Sequence, residues 1–309
     1  MSNISSHLLQ RSLSFSHHWR WALSALPRED SRFGFSRKSE DAFFVSPTHS
    51  DGSFTFGLAD GVGGLRSRGA DPGFFATRLM SLAAKHAAVV NDDPYRVLSH
   101  AAADLTEERV AGGATALITH VSHDGKLHAE NLGDIMLLVA RADGTGVTTA
   151  KRGLIAFDTP MQIGAVFDGG PPLRFDSPHT AAIRFDMQLE VGSWIIAATD
   201  GLTDNVFTSD IIDMLRKAAE RGDEPKDLAR ALVTSARTHA KDRMRDSPFA
   251  LLAKENDIVW TKGGRPDDIT VLVARLFKGG NGDVRGDSFD GDSALDKLVP
   301  GNCTVNGGV

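Results

Sequence analysis

The stretch Phe54-Thr55-Phe56-Gly57-Leu58-Ala59-Asp60-Gly61-Val62-Gly63-Gly64 decides how the rest of the chain is read. An apolar, aromatic run with the character of a buried strand stops on an acid. Glycines then let the backbone turn where a side chain would obstruct a close approach. A carboxylate at the end of a buried strand is costly unless a cation offsets it. The pattern recurs: Trp194-Ile195-Ile196-Ala197-Ala198-Thr199-Asp200-Gly201 is a second apolar run ending in Asp-Gly. Pro266-Asp267-Asp268-Ile269-Thr270-Val271-Leu272-Val273 leads from acids into a strand, and Leu132-Gly133-Asp134 closes a fourth strand-like segment. A lone Asp-Gly after a strand is far more often a turn than a ligand. Repeated at several strand mouths, such acids form a set of hard oxygen donors, the ligand type of Mg²⁺ or Mn²⁺.

Working outward, Glu40-Asp41-Ala42-Phe43-Phe44-Val45 reads as the first strand, with folded structure beginning near Arg32 to Phe35. Asp71-Pro72 has the form of an N-cap and first helical residue, and Phe75, Leu79, Leu82 and Val89 mark that helix's buried face. A second helix follows Asp93-Pro94 and runs to about Val110. Ala114 to Val121, Lys126 to Leu132 and Ile135 to Ala140 then read as a hairpin meander, with His123-Asp124-Gly125 as its first turn. Residues 153–178, rich in Gly and Pro, form a long surface loop and a candidate lid.

Strands are expected at Ala182 to Phe185, Ser193 to Thr199 and Ile269 to Leu276. Helices are expected from Ser209 to Glu220 and Pro225 to Met244, the second with a stripe of Leu228, Leu232, Ala236, Ala240 and Met244. Antiparallel sheet interleaved with pairs of helices gives an α+β fold, sheet packed on sheet with helices outside, and the strand-end acids gather at one rim. Asp60 to Gly64 does not meet the G-x-G-x-x-G spacing of a dinucleotide loop, and tight turns between strands argue against a parallel nucleotide-binding sheet.

Composition bounds the rest. The chain has 309 residues with a formal net charge of -6, which argues against a nucleic-acid surface. No run is long and apolar enough to span a bilayer. The single cysteine, Cys303, excludes an internal disulfide or thiolate metal site, and none of the 11 histidines has metal or triad spacing. Residues 1–28, acid-free up to Pro27 with Arg11, Arg20, serines and apolar residues, have the composition of an organellar transit peptide. That places the chain in the mitochondrial matrix, with plastid or cytoplasm as alternatives. Residues 29–277 make one folded domain; residues 278–309, rich in Gly and Asp, read as a disordered tail. A monomer is expected.

Glu40-Asp41, Asp60-Gly61-Val62-Gly63-Gly64, Gly113-Ala114-Thr115-Ala116, Asn131-Leu132-Gly133-Asp134, Ala198-Thr199-Asp200-Gly201 and Asp267-Asp268-Ile269-Thr270 stand in one order. In that order the chain resembles the type 2C metal-dependent serine/threonine protein phosphatases over roughly residues 35–277. It is most similar to their short subgroup with mitochondrial matrix members, the "PTC-seven" type, through Gly64-Leu65-Arg66, Asp158-Thr159-Pro160-Met161-Gln162, Ser247-Pro248-Phe249-Ala250 and Gly263-Gly264-Arg265-Pro266.

The resemblance implies a four-layer α-β-β-α sandwich with a two-metal site at one edge and phosphoproteins as substrates. Asp60 is implied as the carboxylate bridging both ions, with the Gly61 carbonyl on the second and Asp200 and Asp267 completing the first. Glu40 is implied to hold a water, with Asp41 supporting it. Asp134 and Asp204 match the ligands of a third, weaker ion. Two divalent ions roughly 3.5–4 Å apart lower the pKa of a shared water enough for attack on phosphorus near neutral pH. Ser36 stands where many members carry a phosphate-binding Arg, which leaves Arg37 and Arg66 as the candidates. Val62 stands where many have an acid-donating His. Two other functions stay open at this point: an inactive, phosphatase-like regulatory module, and a hydrolase of small phosphoesters.

Overall fold

The computed structural model describes residues 17–30, 35–36, 39–46, 52–90, 92–166, 173–174, 176–278, 285–290 and 304–305. For residues 17, 29–30, 35–36, 166, 173–174, 285–290 and 304–305 this is the backbone alone. In chain order, β1 is His17–Leu26, β2 is Asp41–Val45 and β3 is Phe54–Gly61, followed by helices α1 (Pro72–Ala87) and α2 (Pro94–Glu107). Strands β4 (Gly112–Val121), β5 (Lys126–Leu132), β6 (Met136–Ala140), β7 (Ile183–Gln188) and β8 (Trp194–Ala198) lead to α3 (Asp200–Thr203), α4 (Thr208–Arg221), α5 (Pro225–Lys241) and α6 (Pro248–Glu255). Then come β9 (Ile269–Lys278) and β10 (Arg285–Asp290).

Among the described residues the strands form two large sheets. One has the order β10-β1-β9-β8-β6, the other is built on β4-β3-β2, with β5 bridging β4 and β7. Side chains alternate across each strand, and both faces are covered. Phe43, Phe54, Phe56 and Leu58 of one sheet meet Trp19, Leu23, Ile195 and Leu272 of the other in a central core. On the outer faces, Ala42, Phe44 and Ala59 pack against α1 and α2, while Trp194, Ile196 and Val271 pack against α4 and α5. This is the expected α-β-β-α sandwich. Burial on both sides explains why these strands read as continuous apolar runs.

Asp71 caps α1 by accepting from the Phe74 N–H at 3.2 Å, and Asp93 caps α2 from the Arg96 N–H at 3.1 Å. Val89, expected on the buried face of α1, lies past the helix end and is 80% exposed; Met244 lies past α5 and is 93% exposed. Helix α2 stops at Glu107, short of Val110. The meander is not a single sheet: β6 leaves β5 and pairs with β8 in the opposite sheet. Residues 153–178 are not a bare loop, since Leu154–Ala156 pairs with Thr159–Pro160 and Ile163–Val166 pairs with β4.

The ends of the chain depart most from expectation. Residues 17–26 of the expected leader are β1, lying between β9 and β10 with Trp19 and Leu23 fully buried. Within the expected tail, β10 pairs parallel with β1, and Thr304–Val305 pairs with β2. No helix among the described residues is long and apolar enough to cross a membrane.

Candidate active site

The two sheets bring four chain segments to one rim. In the β2–β3 pair Asp41 stands opposite Asp60, at the start of one strand and the end of the other. Strand β8 ends at Ala198, one residue before the N-cap Thr199 and two before Asp200; β9 begins just after Asp267-Asp268 and runs antiparallel to β8. Asp134 sits on the crossing from β5 to β6, which the buried Asn131 fixes by donating from Nδ2 to the Ile135 carbonyl at 2.9 Å.

The glycine after Asp60 and after Asp200 is a matter of space. A Cβ on Gly61 would lie 2.5 Å from the Pro72 carbonyl oxygen, and one on Gly201 only 1.8 Å from that of Asp268. The Asp-Gly pairs thus mark places where neighbouring backbone passes against the rim.

Burial pushes the Asp60 carboxyl well above its ordinary range, and the charge of Asp200 adds to that. Asp204 is raised well above that range by burial and then by Asp200, and Asp134 is raised by burial. Asp267 is raised to about 6 by burial and Asp200. Asp200 is itself raised by burial, partly offset by the charge of Arg265. So Asp60, Asp200, Asp267 and Asp134 share one electrostatic field. Among the expected ligands, Asp204 closes the turn after α3 beside them.

Asp41 lies behind this front and is 3% exposed. Its Oδ2 accepts from Thr199 Oγ1 at 2.8 Å and Thr270 Oγ1 at 2.7 Å, tying β2 to β8 and β9. Burial and then the charge of Asp268 push its carboxyl well up. Asp268 accepts the Arg28 N–H at 2.5 Å and the Glu40 N–H at 2.6 Å, fastening the segment before β2 to the rim. The Glu40 carboxylate faces Arg66 at 2.5 Å, on the short 3-10 helix Gly63–Arg68. Arg37 lies outside the described residues.

The residue that the sequence reading missed is Arg265. Its Nη1 reaches Asp204 at 2.5 Å, Asp158 at 2.7 Å and Asp200 at 3.3 Å, and its Nε lies 3.8 Å from Asp267. The guanidinium carbon sits 4.5 Å over the ring of Phe249, from α6. Buried Asn205 fixes the backbone beneath, accepting from the Arg265 N–H and donating to its carbonyl, both at 2.8 Å. The Ser247-Pro248 pair signals α6 as a helix start, and Ser247 does cap it.

In donor chemistry the rim fits a divalent cation. Every donor is a hard oxygen, the mutual repulsion of the acids is relieved by positive charge, and the buried Oδ1 of Asp200 meets no N–H or hydroxyl donor. Among the described residues, however, no group of three or more acids or histidines is arranged ready to hold an ion. The carboxylate oxygens turn to Arg265 instead.

No protein-family model matches the chain. It is 38% identical over 259 residues to Protein phosphatase PTC7 homolog fig of Drosophila virilis, covering 79% of this chain and 80% of that relative. Among solved structures, the photosystem II phosphatase PBCP superimposes with a TM-score of 0.68 at 27% identity, over 83% of this chain and 98% of that one. The catalytic domain of the serine/threonine protein phosphatase PstP, in complex with two manganese ions, shares the fold with a TM-score of 0.54 at 17% identity, over 85% and 100% of the two chains.

Proposed function

We propose, from the premise that this chain belongs to the PTC7-type protein phosphatases, that it hydrolyses phosphoserine and phosphothreonine in proteins with Mg²⁺ or Mn²⁺ at the acidic rim. The observation that carries this is the meeting of Asp60, Asp200, Asp267 and Asp134 at one edge of the sandwich, each carboxyl lifted by burial. Asp60 would hold two ions, with the Gly61 carbonyl on one and Asp200 and Asp267 on the other; Asp134 and Asp204 would hold a third. Bound there, the ions would supply Lewis acidity toward a water and the phosphate oxygens.

The chain's own groups do the rest. Glu40, held by Arg66 and anchored through its backbone to Asp268, orients the attacking water. Asp41, locked by Thr199 and Thr270, keeps β2 in register with the other acid-bearing strands. Arg66 and Arg37 are the expected phosphate-facing cations.

Support for a mitochondrial destination comes from the leader-like composition of residues 1–16; the likeness to a photosystem II phosphatase keeps the plastid as the alternative. The working form is proposed to be a monomer.

The test is hydrolysis of a phosphothreonine peptide and of an aryl phosphate, with manganese and then with chelator. Turnover of both, lost in chelator and reduced about 10²-fold or more in Asp60→Asn, is expected. Activity on the aryl phosphate alone would favour a small-phosphoester hydrolase, and none on either would favour the inactive module.

A further inference from the structure

Arg265 is held in two independent ways. Four carboxylates from three segments, Asp158, Asp200, Asp204 and Asp267, surround its guanidinium within 3.8 Å. Separately, an aromatic seat lies beneath it: Phe249 at 4.5 Å, itself 6% exposed and braced edge-on by Trp260 at 4.8 Å and by Phe157 at 5.3 Å. The Asn205 clamp fixes the backbone, not the side chain. Carboxylates drawn away by a divalent ion would leave the guanidinium on its ring, at the rim, with a planar fork of donors that matches phosphate. Arg66, the other described cation considered for the phosphate, is engaged by Glu40 at 2.5 Å.

We propose that Arg265 is an exchangeable counter-ion, neutralising the acidic rim until divalent cations take its carboxylates and then turning to the substrate's phosphate. The inference rests on the metal-site reading above. Two consequences distinguish it from a fixed structural ion pair. Removing the charge should tighten metal binding, because one positive charge no longer opposes the ion or has to be displaced. It should also weaken binding of phosphate to the metal-loaded protein.

The test is calorimetric titration of Mn²⁺ into chelator-treated protein, followed by inorganic phosphate into the manganese-loaded form, for the native chain, Arg265→Gln and Arg265→Lys. Arg265→Gln should bind Mn²⁺ about tenfold tighter and phosphate about tenfold weaker, with Arg265→Lys close to native for the metal and intermediate for phosphate. Phe249→Leu, which removes the seat and keeps the charge, should weaken phosphate alone. Native protein that binds no Mn²⁺ would overturn the metal-site reading and this proposal together. Native protein that binds Mn²⁺, with affinities unchanged in Arg265→Gln, would overturn this proposal and leave the metal site standing. Weaker metal binding in Arg265→Gln would do the same, marking Arg265 as a structural support.

Discussion

At the scale of single residues, the rim is a place where negative charge is tolerated rather than favoured. Asp267 shows the consequence. Its carboxyl is raised from 3.8 to about 6 in the fold, so between those values the folded chain holds a proton that the unfolded chain has lost. Its contribution is therefore fully present below the unfolded value and disappears as pH rises through about 6. In chelator, Asp267→Asn should match the native protein in acid and exceed it at neutral pH by about 1–2 kcal/mol, a figure reduced because the side chain is 27% exposed. Thermal melts across that range check it; a variant equally stable or less stable at neutral pH would show that Arg265 already neutralises this acid. Asp41 makes the opposite case, a buried carboxyl supplied with donors. Thr270→Val keeps the shape but removes one of the two hydroxyls on Oδ2, and is expected to cost about 1–3 kcal/mol by denaturant titration. An unchanged midpoint would mean that Asp41 does not depend on that bond.

At the scale of elements, the small hairpin of Leu154–Ala156 and Thr159–Pro160 is docked onto the rim by its own turn. Asp158, at a positive φ of 48°, reaches Arg265, and Phe157 packs at a tilt against Phe249. Leu154 and Ile155 meanwhile stay 44% and 61% exposed, so little apolar burial holds the hairpin down. Asp158→Asn should raise amide hydrogen exchange across residues 153–161 severalfold without changing exchange in β8 or β9; protection equal to native would place the hairpin's anchoring elsewhere. The same elements show what the sequence could and could not tell. The acids were legible because each follows or precedes an apolar run, and Asp60 and Asp200 are in addition paired with glycines that passing backbone requires, Gly61 and Gly201. Arg265 was not, because its hydrogen-bond partners Asp204, Asp200 and Asp158 lie 61, 65 and 107 residues away and no local pattern announces an ion pair across such distances. The crossing of β6 into the opposite sheet was hidden for a related reason. A short turn after a strand implies antiparallel pairing by default, and only the packing of Leu137 and Val139 into the central core reverses that.

At the scale of the whole molecule, the strand β1 sets where the functional chain must begin. Its composition, without acids and with Arg20, Ser24 and two tryptophans, imitates a leader, and burial on both faces blurs the alternation that would have marked a strand. Yet β1 pairs with β9 along its 10 residues, sends Trp19 and Leu23 into the core between the sheets, and joins α5 through Arg20–Glu224 at 2.8 Å. Just beyond it, Arg237 donates to the Pro27 carbonyl at 2.5 Å and the Arg28 N–H reaches Asp268 at the rim, so the strand is continuous with the support of the site. Burying two such side chains is worth about 1.5–3 kcal/mol each, against about 5–15 kcal/mol for the net stability of a whole domain. A chain that starts at residue 29 would also leave β9 paired on the β8 side alone, with its other edge exposed. Such a chain is expected to be insoluble or to lack a cooperative melt, whereas one that starts at residue 17 should melt within a few degrees of the full-length protein and keep the activity proposed for it. If an organelle removes a leader, N-terminal sequencing of protein recovered from cells should find the cut at or before His17. An active, soluble protein whose first residue lies beyond Leu26 would show that the central sheet does not need this strand.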